Sequence, residues 1–271
     1  MKAFAPWPIL CLALVSPLFA QAPIDSSPHY GSAAVVQEGV SQLFALANRD
    51  RAARGLRPLR WDKALAAAAL QHCQRMAAEG PISHRYRGEP DLTERAAAVG
   101  AHFSVIEENV AFGPYAASIH QGWMNSPEHR ANLLSPDIDR VGIATVSARG
   151  EFYAVADYSR AVEVMTPAQV EAGIAAKLRA EGLAIVSDPR EARALCASSG
   201  QLMRTGSAQF AMRWEDPEMT KLPPELARKV ESGEFRQAAV GSCTPEDAGS
   251  FTSYRVTVLL YAADAATLRR H

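Results

Sequence analysis

Val36, Val40, Leu43, Phe44 and Ala47 recur at helical offsets and share one face, which predicts an amphipathic helix ended by Arg54-Gly55. Glycine suits that end because it enters the left-handed region without a Cβ penalty. Asp62 then offers a side-chain acceptor for the start of a second helix, with Leu65, Ala69, Cys73 and Met76 on one face and Gly80-Pro81 as its stop. Short helices are expected over residues 91–99, closed by Gly100, and over 118–124, where Ile119 and Trp123 share a face. Residues 141–146 and 152–158 read as strands joined through an Arg149-Gly150 hairpin turn. Helices alternating with an antiparallel pair imply an α+β fold class.

Beyond about Arg160 the pattern restarts. Thr166-Pro167-Ala168-Gln169 has the form of a capping box with proline at the first helical position; Val170, Ile174 and Leu178 follow, and Gly182 closes the helix. Asp188-Pro189-Arg190-Glu191 repeats that start signal ahead of Cys196. Alternation at Phe210, Met212 and Trp214, and again at Tyr254, Val256, Val258 and Leu260, predicts two strands. A separate, smaller α+β domain is therefore expected over residues 166–271, with no internal repeat visible in the sequence.

Composition narrows the compartment and the partners. Lys2, an apolar run over residues 9–19 and the small Ala20 read as a secretory signal at 1–20, followed by a leader over 21–34. The expected location is extracellular or periplasmic, and no later segment is apolar enough to cross a membrane. A formal net charge of −1 and a pI of about 6.7 give no basis for a nucleic acid or an anionic membrane as partner. Removing the signal removes Cys11 and leaves Cys73, Cys196 and Cys243. Cys196 and Cys243 both lie in the C-terminal part, so their pairing is expected in an oxidising compartment, with Cys73 left as a buried thiol on a helix.

The candidate chemistry centres on the run Trp123-Met124-Asn125-Ser126-Pro127-Glu128-His129-Arg130-Ala131-Asn132-Leu133-Leu134, preceded by Glu108-Asn109-Val110-Ala111 and by His84. In this order and spacing, with Asn48, Arg49, Gly55, Leu59, Trp61, Asp62, Leu92, Arg95 and Gly100 around them, these residues resemble the CAP superfamily, the cysteine-rich secretory, antigen 5 and pathogenesis-related group, in its bacterial secreted branch. The resemblance implies an α-β-α sandwich over residues 35–160. It also implies a cleft lined by two histidines, His84 and His129, and by Glu108. Ser126 stands where a second glutamate is usual, and it joins these three as an expected binding residue. Glu107 and Glu128 stand where glycine is common.

The resemblance further implies binding, of a small lipid-like ligand or of a cell-envelope or protein partner, and names no reaction. Neutral imidazoles suit zinc or another divalent cation, so His84, His129 and Glu108 are also candidate metal ligands, although two histidines 45 positions apart are no metal motif by spacing. The alternative function is a metal-assisted hydrolase in which those three residues activate water. A purely architectural His84–Glu108 hydrogen bond is the competing reading, since buried polar groups must find partners. Arg130 and Asn132 are expected to fix the loop carrying His129. His72, on the apolar face of its helix, is expected to be a satisfied core histidine.

Overall fold

The computed structural model describes residues 33–199, 207–245 and 249–262, with side chains from residue 36 onward. The expected signal at 1–20 and nearly all of the leader lie outside the described residues. The first unit runs α1 (Ala33–Ala52), β1 (Arg60–Trp61), α2 (Lys63–Glu79), α3 (Leu92–Ala98), β2 (Phe103–Gly113), α4 (Ala116–Asn125), α5 (Pro127–Leu133), β3 (Arg140–Ala148) and β4 (Glu151–Ala161). The second runs α6 (Pro167–Ala180), β5 (Ala184–Ile185), α7 (Arg190–Ala197), β6 (Phe210–Asp216), α8 (Pro224–Glu231), β7 (Phe235–Cys243) and β8 (Tyr254–Ala262).

In the first unit the sheet order is β1-β3-β4-β2, with β1 parallel to β3 and the other pairs antiparallel. Leu43, Ile119, Trp123 and Leu133 from α1, α4 and α5 pack on one face against Ile143, Ala154 and Tyr158. Ala69, Cys73 and Met76 of α2 cover the other face, against Val110, Ala144 and Val155. The result is the expected α-β-α sandwich. Its central strand β4 is buried on both faces, which is why residues 153–158 read as an apolar run rather than an alternation.

Local signals place the helices. The Asp62 carboxylate accepts from the amides of Ala64 and Leu65 at the start of α2, and Gly80 ends it. Asp91 and Glu94 form a capping box on α3, as Thr166 and Gln169 do on α6. Arg149 and Gly150 both adopt positive φ, as a two-residue hairpin turn with matching twist demands. Ser126-Pro127 begins a helix rather than a turn, because proline is pre-organised for the first helical position. The second expected capping box does not form: α7 starts at Arg190, and the Asp188 carboxylate accepts from the amide and guanidinium of Arg190 instead.

The second unit corrects the expectation of no repeat. Its sheet order is β5-β7-β8-β6, again with one parallel pair, β5–β7, and two antiparallel pairs. α6 and α8 cover one face and α7 the other. Strand for strand and helix face for helix face, this is the topology of the first unit. The repeat escapes the sequence because it survives in topology and in a few close approaches rather than in shared residues.

The clearest such approach is glycine beneath a helix. A Cβ on Gly142 of β3 would lie 2.0 Å from the Ala66 nitrogen in α2, and one on Gly241 of β7 would lie 2.2 Å from the Arg193 nitrogen in α7. Three residues along each helix and two along each strand lie Ala69 with Ala144 in the first unit, and Cys196 with Cys243 in the second. The latter two form the expected disulfide, with Cα atoms 5.7 Å apart. Its 47-residue separation corresponds to about 4 kcal/mol of stabilisation in the chain-entropy view. Cys73 is a free, buried thiol, and burial pushes its pKa up.

Gly142→Ala and Gly241→Ala are each expected to destabilise the chain by about 3 kcal/mol or more, since backbone has to move to admit the methyl group. Urea unfolding measures this directly. Gly173→Ala, on α6 with nothing within 4 Å of the added carbon, is the control and should be neutral or slightly stabilising.

Candidate functional site

β2 is the edge strand of the first sheet, and it carries Glu107, Glu108 and Asn109 at its middle. Glu108 turns toward the α2 face with its carboxylate 3% exposed. Its Oε1 is 2.7 Å from His84 Nδ1, and its Oε2 accepts from Arg95 Nη2 at 2.6 Å. Arg95 comes from α3 and is itself buried; its Nη1 donates to the carbonyls of His84 and Pro90. The connection between α2 and α3 is thereby fastened to the sheet edge through one carboxylate.

His72 meets the expectation of a satisfied core histidine. Its Nδ1 is 2.7 Å from Glu89 Oε1 and its Nε2 is 2.8 Å from the Ser83 carbonyl. Asp157 of β4 lies directly across the ladder from Glu108 and is wholly buried. Burial, with the charge of Glu108 added, holds its carboxyl well above the usual carboxylate range.

On the other side of the edge, α5 is stitched to β2. Asn109 Nδ2 donates to the His129 carbonyl at 2.9 Å, and Asn132 Nδ2 donates to the Glu108 carbonyl and to Asn109 Oδ1. Trp123 Nε1 donates to the Val110 carbonyl. Side chains therefore satisfy outward carbonyls that an open edge strand would otherwise present to other chains. Arg51, almost fully buried, donates to the carbonyls of Leu133, Ser135 and Ile138 and clamps the loop after α5.

The hydrogen bond to Glu108 raises the pKa of His84, with burial opposing. Burial lowers that of His129, and the charge of His84 lowers it further. The two imidazoles are therefore shifted in opposite directions from the ordinary histidine value. His84 remains 60% exposed at its side chain, so its Nε2 edge is open to a ligand.

Of the expected site residues, His84 and Glu108 are in direct contact, and His129 is close enough for the charge of His84 to act on it. Ser126 sits half-buried at the α4–α5 junction, makes no capping bond and takes no part in the Glu108 network. Glu128 is exposed. Glu107 occupies the opposite face of β2 from Glu108, half-buried. As for a metal, among the described residues no three His, Cys, Asp or Glu side chains gather in a way that would hold one. Glu108 is committed to His84 and Arg95 as a hydrogen-bond acceptor, so the expected three-ligand set does not assemble and no chemical step is drawn through a metal.

Sequence reasoning missed Asp157, Glu89 and Arg51. A carboxylate inside the apolar run Ala154-Val155-Ala156-Asp157-Tyr158 was the available signal for the first. The row Gly142–Asp157–Glu108 across the sheet has a counterpart in the second unit, Gly241–Thr257–Arg213. There the charged position is a guanidinium that donates to the carbonyls of Leu195 and Ser198 at the end of α7, so the second unit repeats the scaffold with opposite charge.

Residues 44–158 match the profile of the Cysteine-rich secretory protein family, CAP. The uncharacterized membrane protein YlbC of Bacillus subtilis (strain 168) is 32% identical over 106 residues, covering 38% of this chain and 30% of that protein. The uncharacterized protein YkwD of the same organism is 28% identical over 108 residues, covering 40% of this chain and 42% of that protein. The chain thus spans less than half the length of the curated relatives it matches. A solved extracellular protein containing a SCP domain from Bacillus anthracis str. Ames is 28% identical, covers 46% of this chain and 41% of its own, and has a TM-score of 0.43.

Two outcomes follow from the buried acids. Glu108→Ala strands Arg95 without its carboxylate and is expected to cost about 3–5 kcal/mol in denaturant unfolding. Asp157 has a folded-state pKa above its unfolded value of about 3.9, so the unfolded chain releases that proton first and its contribution to stability falls as pH rises through that interval. Asp157→Asn removes this loss. Its stability relative to the parent should therefore rise between pH 4 and pH 7.5, and a difference that stays constant would show that Asp157 is not held neutral.

A proton-NMR titration reads the histidines separately. The His84 midpoint should lie above about 6.5 and the His129 midpoint below it. Glu108→Gln should bring the His84 midpoint down while the fold, checked by amide dispersion, persists.

Proposed function

This chain carries a domain of the Cysteine-rich secretory protein family, CAP, and we propose that it works outside the cytoplasm as a binding module whose first unit holds a small lipid-like or cell-envelope ligand against His84 and His129. The observation that carries this reading is the commitment of Glu108. With one oxygen on His84 Nδ1 and the other on Arg95, that carboxylate orients an imidazole and cannot also serve as a free base or third metal ligand. What is left toward solvent is the outer edge of His84 and the half-buried ring of His129, whose pKa burial lowers. Together they suit polar acceptor and donor atoms on a bound molecule. Ser126 borders the same α5 start and supplies a hydroxyl to that rim.

Location outside the cytoplasm is supported by the expected signal and by the Cys196–Cys243 disulfide, which persists in an oxidising compartment. Among the described residues no helix is long and apolar enough to cross a membrane. The second unit, with Arg213 in the place of Glu108, does not repeat the site's charge, so the ligand belongs to the first unit.

Calorimetric titration of the mature chain with a panel of fatty acids, sterols and soluble peptidoglycan fragments tests the proposal, beside a His84→Ala/His129→Ala double variant. Saturable binding lost in the double variant, with ligand recovered chemically intact, is the expected result. Binding that survives the double variant would refute the site. Turnover abolished by a chelator would replace the proposal with the hydrolase alternative using His84, Glu108 and His129.

A further inference from the structure

A groove of about 510 Å³ runs along α5 and is lined by Glu107, Pro127, Arg130, Ala131, Leu134 and Pro136, among others. Pro127, Ala131 and Leu134 fall at successive turns of one helix face, so the groove has an apolar wall along its length. Glu107 enters from β2. Its Oε2 is shielded from solvent and finds no hydrogen-bond partner among the described residues.

That orphan is the informative feature. A carboxylate oxygen removed from water without a donor is costly, and the cost is offset when a donor arrives from elsewhere. Burial already holds the Glu107 carboxyl above its usual range, and the nearby charge of Asp137 adds to this. Of the cations close by, Arg160 is paired with a carboxylate, and Arg130, which lines the groove, keeps its charge while bonded to a carbonyl. Arg160 pairs with Glu218 at 2.8 Å and lies 3.9 Å from Asp137, and Arg130 donates through Nη1 to the Met124 carbonyl. An incoming ammonium would meet both the missing hydrogen bond and the negative field, and an alkyl chain attached to it would lie along the apolar wall.

We infer that this groove is a second binding site, distinct from the His84–His129 cleft, for a small aliphatic amine whose ammonium sits on Glu107 and whose chain lies along Pro127, Ala131 and Leu134. The two sites flank α5 and use different chemistry, so they are separable by mutation.

The test uses n-hexylamine and, as the uncharged equivalent, hexan-1-ol, each titrated into the full chain and followed by heteronuclear NMR. Hexylamine should give saturable shifts in the amides of β2 and α5 and should lower the titration midpoint of the Glu107 carboxyl carbon. Hexanol should bind about tenfold or more weakly, in keeping with the loss of a charge-assisted hydrogen bond. Glu107→Gln should weaken hexylamine by a similar factor, while the His84→Ala/His129→Ala variant binds it as the parent does. Equal binding of amine and alcohol, absence of saturation, or a Gln variant that binds undiminished would each overturn the inference. Should the Gln variant fold poorly, a Glu107 midpoint in the parent chain that hexylamine leaves unmoved overturns it equally.

Discussion

A carboxylate buried at the edge of a sheet has to be paired, and much of the first unit's arrangement around Glu108 follows from how that requirement is met. Arg95 supplies the neutralising charge from α3, and α3 is held in place by the Asp91–Glu94 capping box one turn earlier. His84 supplies the second hydrogen bond from a loop that His72 and Arg95 also hold, through the Ser83 and His84 carbonyls. Across the ladder, burial first and the charge of Glu108 second raise the pKa of Asp157, since a second negative charge beneath α2 would lack a partner. Removing one member leaves another exposed to the same cost, so the network specifies a single geometry for the histidine it presents.

The same scaffold appears twice in the chain with different contents. In each unit a glycine lets a helix backbone rest on a central strand, and the next two strands place a polar and then a charged residue along the same row. The first unit fills that row with an acid pair and the second with Thr257 and Arg213. A guanidinium there can hold the end of α7 by its carbonyls, which is a stabilising role at a helix C-terminus, and it presents no histidine. The second unit has fewer helical contacts around its sheet, and its Cys196–Cys243 bond ties α7 to β7 where the first unit relies on Ala69 against Ala144.

Much of this was legible in residues read locally. The caps at Asp62 and Thr166, the glycine stops, the Arg149-Gly150 turn and the buried faces of α1, α2 and α6 rest on interactions within a few positions of one another. The His84–Glu108 pair was named through resemblance, and the cysteine pairing was legible through compartment and position. The strands β2 and β7 were not legible. β2 interrupts its apolar pattern with Glu107, Glu108 and Asn109, and β7 opens with Arg236 and Gln237, so neither shows a clean period of two.

The sequence by itself determined the helices α1, α2, α3, α4 and α6, and which residue types are available for a polar site, because those properties depend on short-range sterics and hydrogen bonding; α5 and α8 it did not show. Only the tertiary structure decided that Glu108 is saturated rather than free, that the Asp157 pKa is raised, that Glu107 borders a groove and that the two units share one topology. Each of those depends on contacts between residues tens of positions apart across a sheet, and pairing register, burial and field there come from the packed assembly rather than from any one segment.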